Sequence, residues 1–169
     1  MLLAIDPGSE QSGIVVYDGE KPVAFGKLHN EAVLLQLRNG SWGPLRDCYI
    51  ETLKPRGMPT ALEEMQAQLW AGRFHEAFSF RMGCDATPVY RMDVKLFHCG
   101  QARAKDSNIR QALIDRFGGK EAAIGKKATP GPLYGVSNDV WSALAIAVYA
   151  WETKHAGDEQ PHTRIVISD

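Results

Sequence analysis

Met1-Leu2-Leu3-Ala4-Ile5-Asp6-Pro7-Gly8-Ser9-Glu10-Gln11-Ser12-Gly13-Ile14-Val15-Val16-Tyr17-Asp18 opens the chain, and its reading decides the fold. Leu2 to Ile5 are apolar in succession, the pattern of a strand covered on both faces, so Asp6 emerges where the core stops. Open α/β sheets bind ligands at that carboxyl end. Pro7-Gly8 turns the chain, Gly13 permits a close backbone approach, and Ile14 to Val16 supply a second run of β-branched residues. Asp6 is therefore either a turn-capping residue of a plain hairpin or the first residue of a metal or phosphate site.

Working outward, a third strand over 22–28 follows the Asp18-Gly19 turn, which makes the opening an antiparallel meander. A short helix over 31–37 stops at Asn39-Gly40, and after the Gly43-Pro44 break a strand covers 47–53. Pro59 starts a long helix whose apolar residues Leu62, Met65, Leu69, Phe74 and Phe78 recur at the spacing of a core-facing stripe. Pro88 to Met92 reads as a last short strand, and 107–117 as an amphipathic helix closed by Gly118-Gly119. Lys120 to Val136 reads as a basic loop, and 138–151 as a final apolar helix. The expected organisation is one α/β domain over 1–154 and a polar tail over 155–169, ordered only near 164–168.

At 169 residues with 44% hydrophobic content, the chain suits one domain with a sizeable core. No stretch approaches the roughly 18 to 20 apolar residues of a membrane span, and the amino terminus lacks a secretory pattern, so a cytoplasmic protein is expected. Cys48, Cys84 and Cys99 are widely spaced and form no Cys-x-x-Cys pair, which argues against disulfides or zinc. The net charge of −1 is unevenly distributed. Residues 91–130 carry nine Lys/Arg against four Asp/Glu, a local +5 flanked by −3 on each side. Local basic surface, not global charge, draws a polyanion.

Two further acids stand out. Glu51 follows Tyr49-Ile50 near the end of a central strand, where an ionised carboxylate needs a cation, a hydrogen-bond cage or an exit to water. Asp139 begins an almost wholly apolar helix, where it either complements the helix dipole or joins a site. If the first and fourth strands are neighbours, Asp6 and Glu51 lie side by side. Hard divalent cations prefer such oxygen ligands, and two of them clamp the attacking and leaving oxygens of a phosphodiester.

Ala4-Ile5-Asp6-Pro7-Gly8 with Ser12-Gly13, Ile50-Glu51 at a strand end, Ala104-Lys105 before a helix with Ile109, and Asn138-Asp139 leading into Ala143-Leu144-Ala145-Ile146-Ala147 together resemble the RuvC-like Holliday-junction resolvases, of the phage and bacterial type, in the RNase H-like nuclease superfamily. The resemblance spans roughly residues 2 to 151. It implies a five-stranded mixed sheet with helices on both sides, an antiparallel meander of strands one to three followed by parallel strands. It further implies a homodimer that cleaves four-way or related branched DNA with Mg²⁺ or Mn²⁺, in two ions. Asp6, Glu51 and Asp139 would hold metal, and Lys105 would act on the scissile phosphate.

One departure concerns the last helix, where many relatives carry a second acid one turn after the first; here that position is Ser142. A Ser142-bound water or Asp106 could complete the ligand set, although Asp106 could also simply cap the following helix. Arg103, Lys105, Arg110, Lys126 and Lys127 are the candidate DNA contacts. Trp70 and Phe74 could offer a stacking surface or pack in the core, while His75 and His98 read as structural or solvent-facing. Two alternatives stay open. One is a non-catalytic nucleic-acid-binding module on the same fold, favoured by Ser142. The other is an actin-like or sugar-kinase-like phosphate-binding protein, which opens with a similar turn but needs two copies of the fold.

Overall fold

The computed structural model describes residues 1–54 and 60–155, the last by its backbone alone. Pro59 and the tail segment 164–168 lie outside the described residues. Strands β1 (Leu2–Asp6), β2 (Gln11–Tyr17) and β3 (Pro22–His29) form the expected antiparallel meander. Helix α1 (Asn30–Asn39) ends at Gly40, whose φ of 67° is the left-handed conformation glycine supplies without strain. Strand β4 (Asp47–Thr52) then runs parallel to β1. After helix α2 (Leu62–Met82), strand β5 (Thr87–Tyr90) runs parallel to β4. The sheet order is β3-β2-β1-β4-β5.

Period-two alternation divides the sheet into two apolar faces. Leu3, Ile5, Ile14 and Val16 join Cys48 and Ile50 in a cluster with α1 and α2. Leu2, Ala4, Val15 and Tyr17 pack on the opposite side against helices α3 (Arg91–Cys99), α4 (Asp106–Arg116) and α6 (Val140–His155). α6 is nearly apolar all round because it lies in the middle of that layer, where Ala143, Leu144, Ile146 and Ala147 are wholly buried.

Several expectations are corrected. Arg91 and Met92 do not extend the last strand; they open α3, which Gly100 caps at a φ of 69°. The 120–136 segment contains helix α5 (Gly119–Ala123) and a hairpin of β6 (Gly125–Lys126) and β7 (Thr129–Pro130). α2 buries only its second half, through Ala71, Phe74, Ala77 and Phe78. Leu62, Met65 and Leu69 are not core residues: they are 66%, 59% and 67% exposed. The helical spacing was real, but it marks a stripe left open to water. Phe74 lies in the core, and Trp70 is half-buried beside it under the Arg73 guanidinium. His98 is structural, with Nε2 2.9 Å from the Ala145 carbonyl.

Candidate active site

Parallel register sets the first two acids next to each other. Ile5 pairs with Ile50, so Asp6 and Glu51 follow at the carboxyl ends of two adjacent parallel strands. Both share the parity of Ala4 and Tyr49, which packs them on the α6 side of the sheet. The third acid is brought in by a glycine. Gly13 pairs with Asp6 across β1 and β2, and a Cβ at Gly13 would stand 2.5 Å from the Asp139 carbonyl oxygen. The turn that opens α6 rests directly on that bare backbone, and Asp139 accepts the Ser142 and Ala143 amides as the helix starts.

The loop after Asp6 is held by a buried polar network that the sequence did not reveal in full. The Ser12 hydroxyl donates to Asn30 Oδ1 at 2.6 Å, and Asn30 Nδ2 donates to the Gly8 carbonyl at 3.0 Å. Gly8 is needed there, since a Cβ would meet the Gln11 carbonyl oxygen at 2.3 Å. These contacts fix the exit of β1 and hence the direction of Asp6.

Burial raises the Asp6 carboxyl to about 8, with Glu51 and Asp139 adding repulsion, Arg91 opposing it, and a hydrogen bond to Ser142 favouring the ionised form. Glu51 is also raised by burial, against the pull of Arg91. The Arg91 guanidinium reaches Glu51 Oε1 at 3.2 Å through Nη1 and Asp106 Oδ2 at 2.9 Å through Nη2. Burial disfavours its charge, but Glu51, Asp106 and Asp6 more than compensate and raise its pKa. Lys95 Nζ lies 3.8 Å from Asp106. Asp139 Oδ2 is 2.6 Å from Lys27 Nζ on β3.

Asp106 does not cap α4. Asn108 Oδ1 accepts the Lys105 amide at 2.9 Å, and the Asp106 carboxylate turns to Arg91. Arg91 and Lys27 were missed by sequence reasoning. A strand ended at Tyr90 would have placed Arg91 at the same carboxyl edge as Asp6 and Glu51; Lys27 carried no signal beyond its strand.

A cleft of about 630 Å³ opens over Asp6, Arg91, Asp106, Arg110, Asp139 and Ser142, and a second hollow of about 410 Å³ lies beyond Arg91 over Glu51 and Glu64. Arg110 lines the larger cleft, 5.0 Å above the Trp141 ring. Lys105 is exposed beside Asp106, and Arg103 is exposed in the turn before α4. Lys126 and Lys127 are exposed on the β6–β7 hairpin.

The donor chemistry suits a hard divalent ion: oxygen ligands only, including a carboxyl held far above its ordinary range by burial first and then by the charges of Glu51 and Asp139. The cage itself is not closed. Among the described residues, no three of His, Cys, Asp or Glu are grouped closely enough to hold an ion. Side-chain cations stand among the acids instead, Arg91 between Glu51 and Asp106 and Lys27 on Asp139.

The sheet order and the flanking helices define an RNase H-like α/β fold. Comparison with solved structures makes this specific: the chain has the fold of RuvC. It superposes on Thermus thermophilus RuvC with a TM-score of 0.63 and 16% identity, over 92% of this chain and 96% of that one. It matches T. thermophilus RuvC in complex with a Holliday junction substrate with a TM-score of 0.60 and 14% identity, over 92% and 95%. No protein-family model and no curated protein matches the sequence. Among the described residues, no helix is long and apolar enough to cross a membrane.

Proposed function

We propose that this protein is a divalent-metal-dependent endonuclease that cleaves four-way DNA junctions or related branched DNA. The observation that carries the reading is the placement of Asp6 and Glu51 at adjacent parallel strand ends, with the Asp139 turn seated on Gly13 beside Asp6, which lines both the cleft over Asp139 and the hollow over Glu51. The fold shared with a protein solved on a Holliday junction substrate supports the choice of branched DNA over other phosphodiesters.

In this reading Asp6, Glu51 and Asp139 hold Mg²⁺ or Mn²⁺, with Asp106 or a water on Ser142 as the remaining ligand. When bound, a pair of such ions supplies an acidified water and neutralises the leaving oxygen. The Ser142 hydroxyl orients the Asp6 carboxylate. Lys105 and Arg110 offset charge on the scissile phosphate and its neighbour, while Arg103, Lys126 and Lys127 grip flanking backbone, a salt-sensitive and sequence-independent attraction.

A homodimer suits this substrate, because a two-fold pair presents two such centres to two strands. The stripe of Leu62, Met65 and Leu69 on α2, with Phe80 at 87% exposure about three turns beyond, offers the apolar face that a second copy would cover.

The test is cleavage of a synthetic four-way junction in Mg²⁺ by the wild type and by Asp6→Asn, Glu51→Gln and Asp139→Asn. Loss of cleavage in all three with junction binding retained is expected. Cleavage surviving in Asp6→Asn would refute the assignment, and binding without cleavage by the wild type in every divalent metal would favour the non-catalytic module.

A further inference from the structure

We propose that Arg91 is a resident counter-ion of the acidic centre, standing between Glu51 and Asp106 and competing with an incoming divalent ion for the Glu51 carboxylate, and that it thereby sets how tightly the centre loads metal. The inference rests on the nuclease reading above.

The geometry is specific to arginine. One guanidinium grips carboxylates from two different elements, Nη1 reaching Oε1 and Oε2 of Glu51 at 3.2 and 3.5 Å and Nη2 reaching Asp106 Oδ2 at 2.9 Å. A planar fork spans two acceptors in this way from two separate nitrogens in fixed directions, whereas an ammonium must donate from a single nitrogen. Arg91 occupies the first turn of α3, directly after the Tyr90 end of β5, so the backbone aims it along the same edge as Asp6 and Glu51. One helical turn later Lys95 lines the smaller hollow and approaches Asp106 at 3.8 Å.

Arginine does not lose its proton in this setting, so the charge cannot be titrated away to make room. A divalent ion on the Glu51 oxygens would stand a few ångströms from this permanent cation, and their repulsion is subtracted from the attraction that the carboxylate offers. Metal loading is therefore weaker while Arg91 holds Glu51 and stronger once it lets go. Arg91 has somewhere to go, since it lines both the larger cleft and the smaller hollow. The same contacts explain why the acids stand without a closed three-ligand group: Glu51 and Asp106 face the guanidinium between them.

The test is Mn²⁺ titration of the DNA-free protein by calorimetry and by the electron paramagnetic resonance of bound ion, comparing the wild type with Arg91→Gln and Arg91→Lys. Arg91→Gln is expected to bind Mn²⁺ about tenfold more tightly or better, and to gain more thermal stability on metal addition. Arg91→Lys, which keeps the charge but loses the fork of two nitrogens, is expected to fall between. If Arg91→Gln does not fold, Arg91→Lys carries the test alone. Affinity unchanged or weakened in the folded variants, with the wild type binding Mn²⁺, overturns the role of Arg91 and leaves the nuclease reading standing. Absence of Mn²⁺ binding in every form overturns both.

Discussion

Raising the pH without divalent metal is expected to weaken this fold, and replacing its first acid is expected to cure that weakness. Asp6 holds its proton to about 8, against an ordinary value of 3.8, because burial beside Glu51 and Asp139 penalises the carboxylate. The unfolded chain releases that proton near 4. Between these limits the native state binds more protons, so stability is fully present below about pH 4 and is lost as pH climbs through about 8. At about 1.36 kcal/mol per pH unit the ceiling on this loss is about 6 kcal/mol. Even a third of it, about 2 kcal/mol, would shift a urea midpoint by about 1 M.

Asp6→Asn removes the titration while keeping the shape. Urea unfolding in EDTA should give nearly equal stabilities at about pH 5, and a variant more stable than the wild type by about 2 kcal/mol or more at about pH 8.5. Glu51, also raised by burial, leaves a residual slope of the same sign. His98 acts oppositely: burial lowers its pKa, so its contribution is fully present above about 6.5 and is lost as pH falls below that through its lowered folded value, equally in both proteins. Adding Mg²⁺ at the higher pH should restore the wild type and leave the variant unmoved. A wild type whose stability is flat or rising over this range, or a variant no more stable than it at high pH, would refute the account of Asp6.

Three further outcomes are expected. Gly13→Ala forces a methyl to 2.5 Å from the Asp139 carbonyl, so it should cost about 1–3 kcal/mol in urea unfolding and also weaken metal binding by displacing Asp139. Ser142→Asp places a carboxylate against Asp6, where Ser142 now donates a hydrogen bond; calorimetry should show lower metal-free stability together with about tenfold tighter Mn²⁺ binding. Leu69→Glu charges a residue that is 67% exposed, so the monomer should fold normally while dimer dissociation, followed by sedimentation, becomes at least about tenfold easier.

The legible part of the molecule was the part governed by neighbours in sequence. An unbroken apolar run ending in Asp6, two turns with glycine at the required places and a wholly apolar last helix specify a covered sheet, its meander and its central helix without reference to anything distant. The adjacency of Asp6 and Glu51 could also be stated in advance, conditional on strands one and four pairing, which they do. The close approach foreseen at Gly13 is the seat of the Asp139 turn.

The rest depended on distant partners. Periodicity along α2 marked an apolar stripe but could not tell core from open surface, because only α1 and the sheet decide which turns are covered, and they cover its second half. Asp106 read more simply as a cap than as a site residue, since the competing guanidinium came from a helix that the strand pattern concealed. Which residues carry negative charge to the carboxyl edge of the sheet follows from local pattern, because strand alternation and turn chemistry are local. What stands among those charges follows from packing. Arg91 and Lys27 reach the acids across elements far apart in the chain, and ion pairs of that kind are fixed by packing geometry that no local pattern encodes.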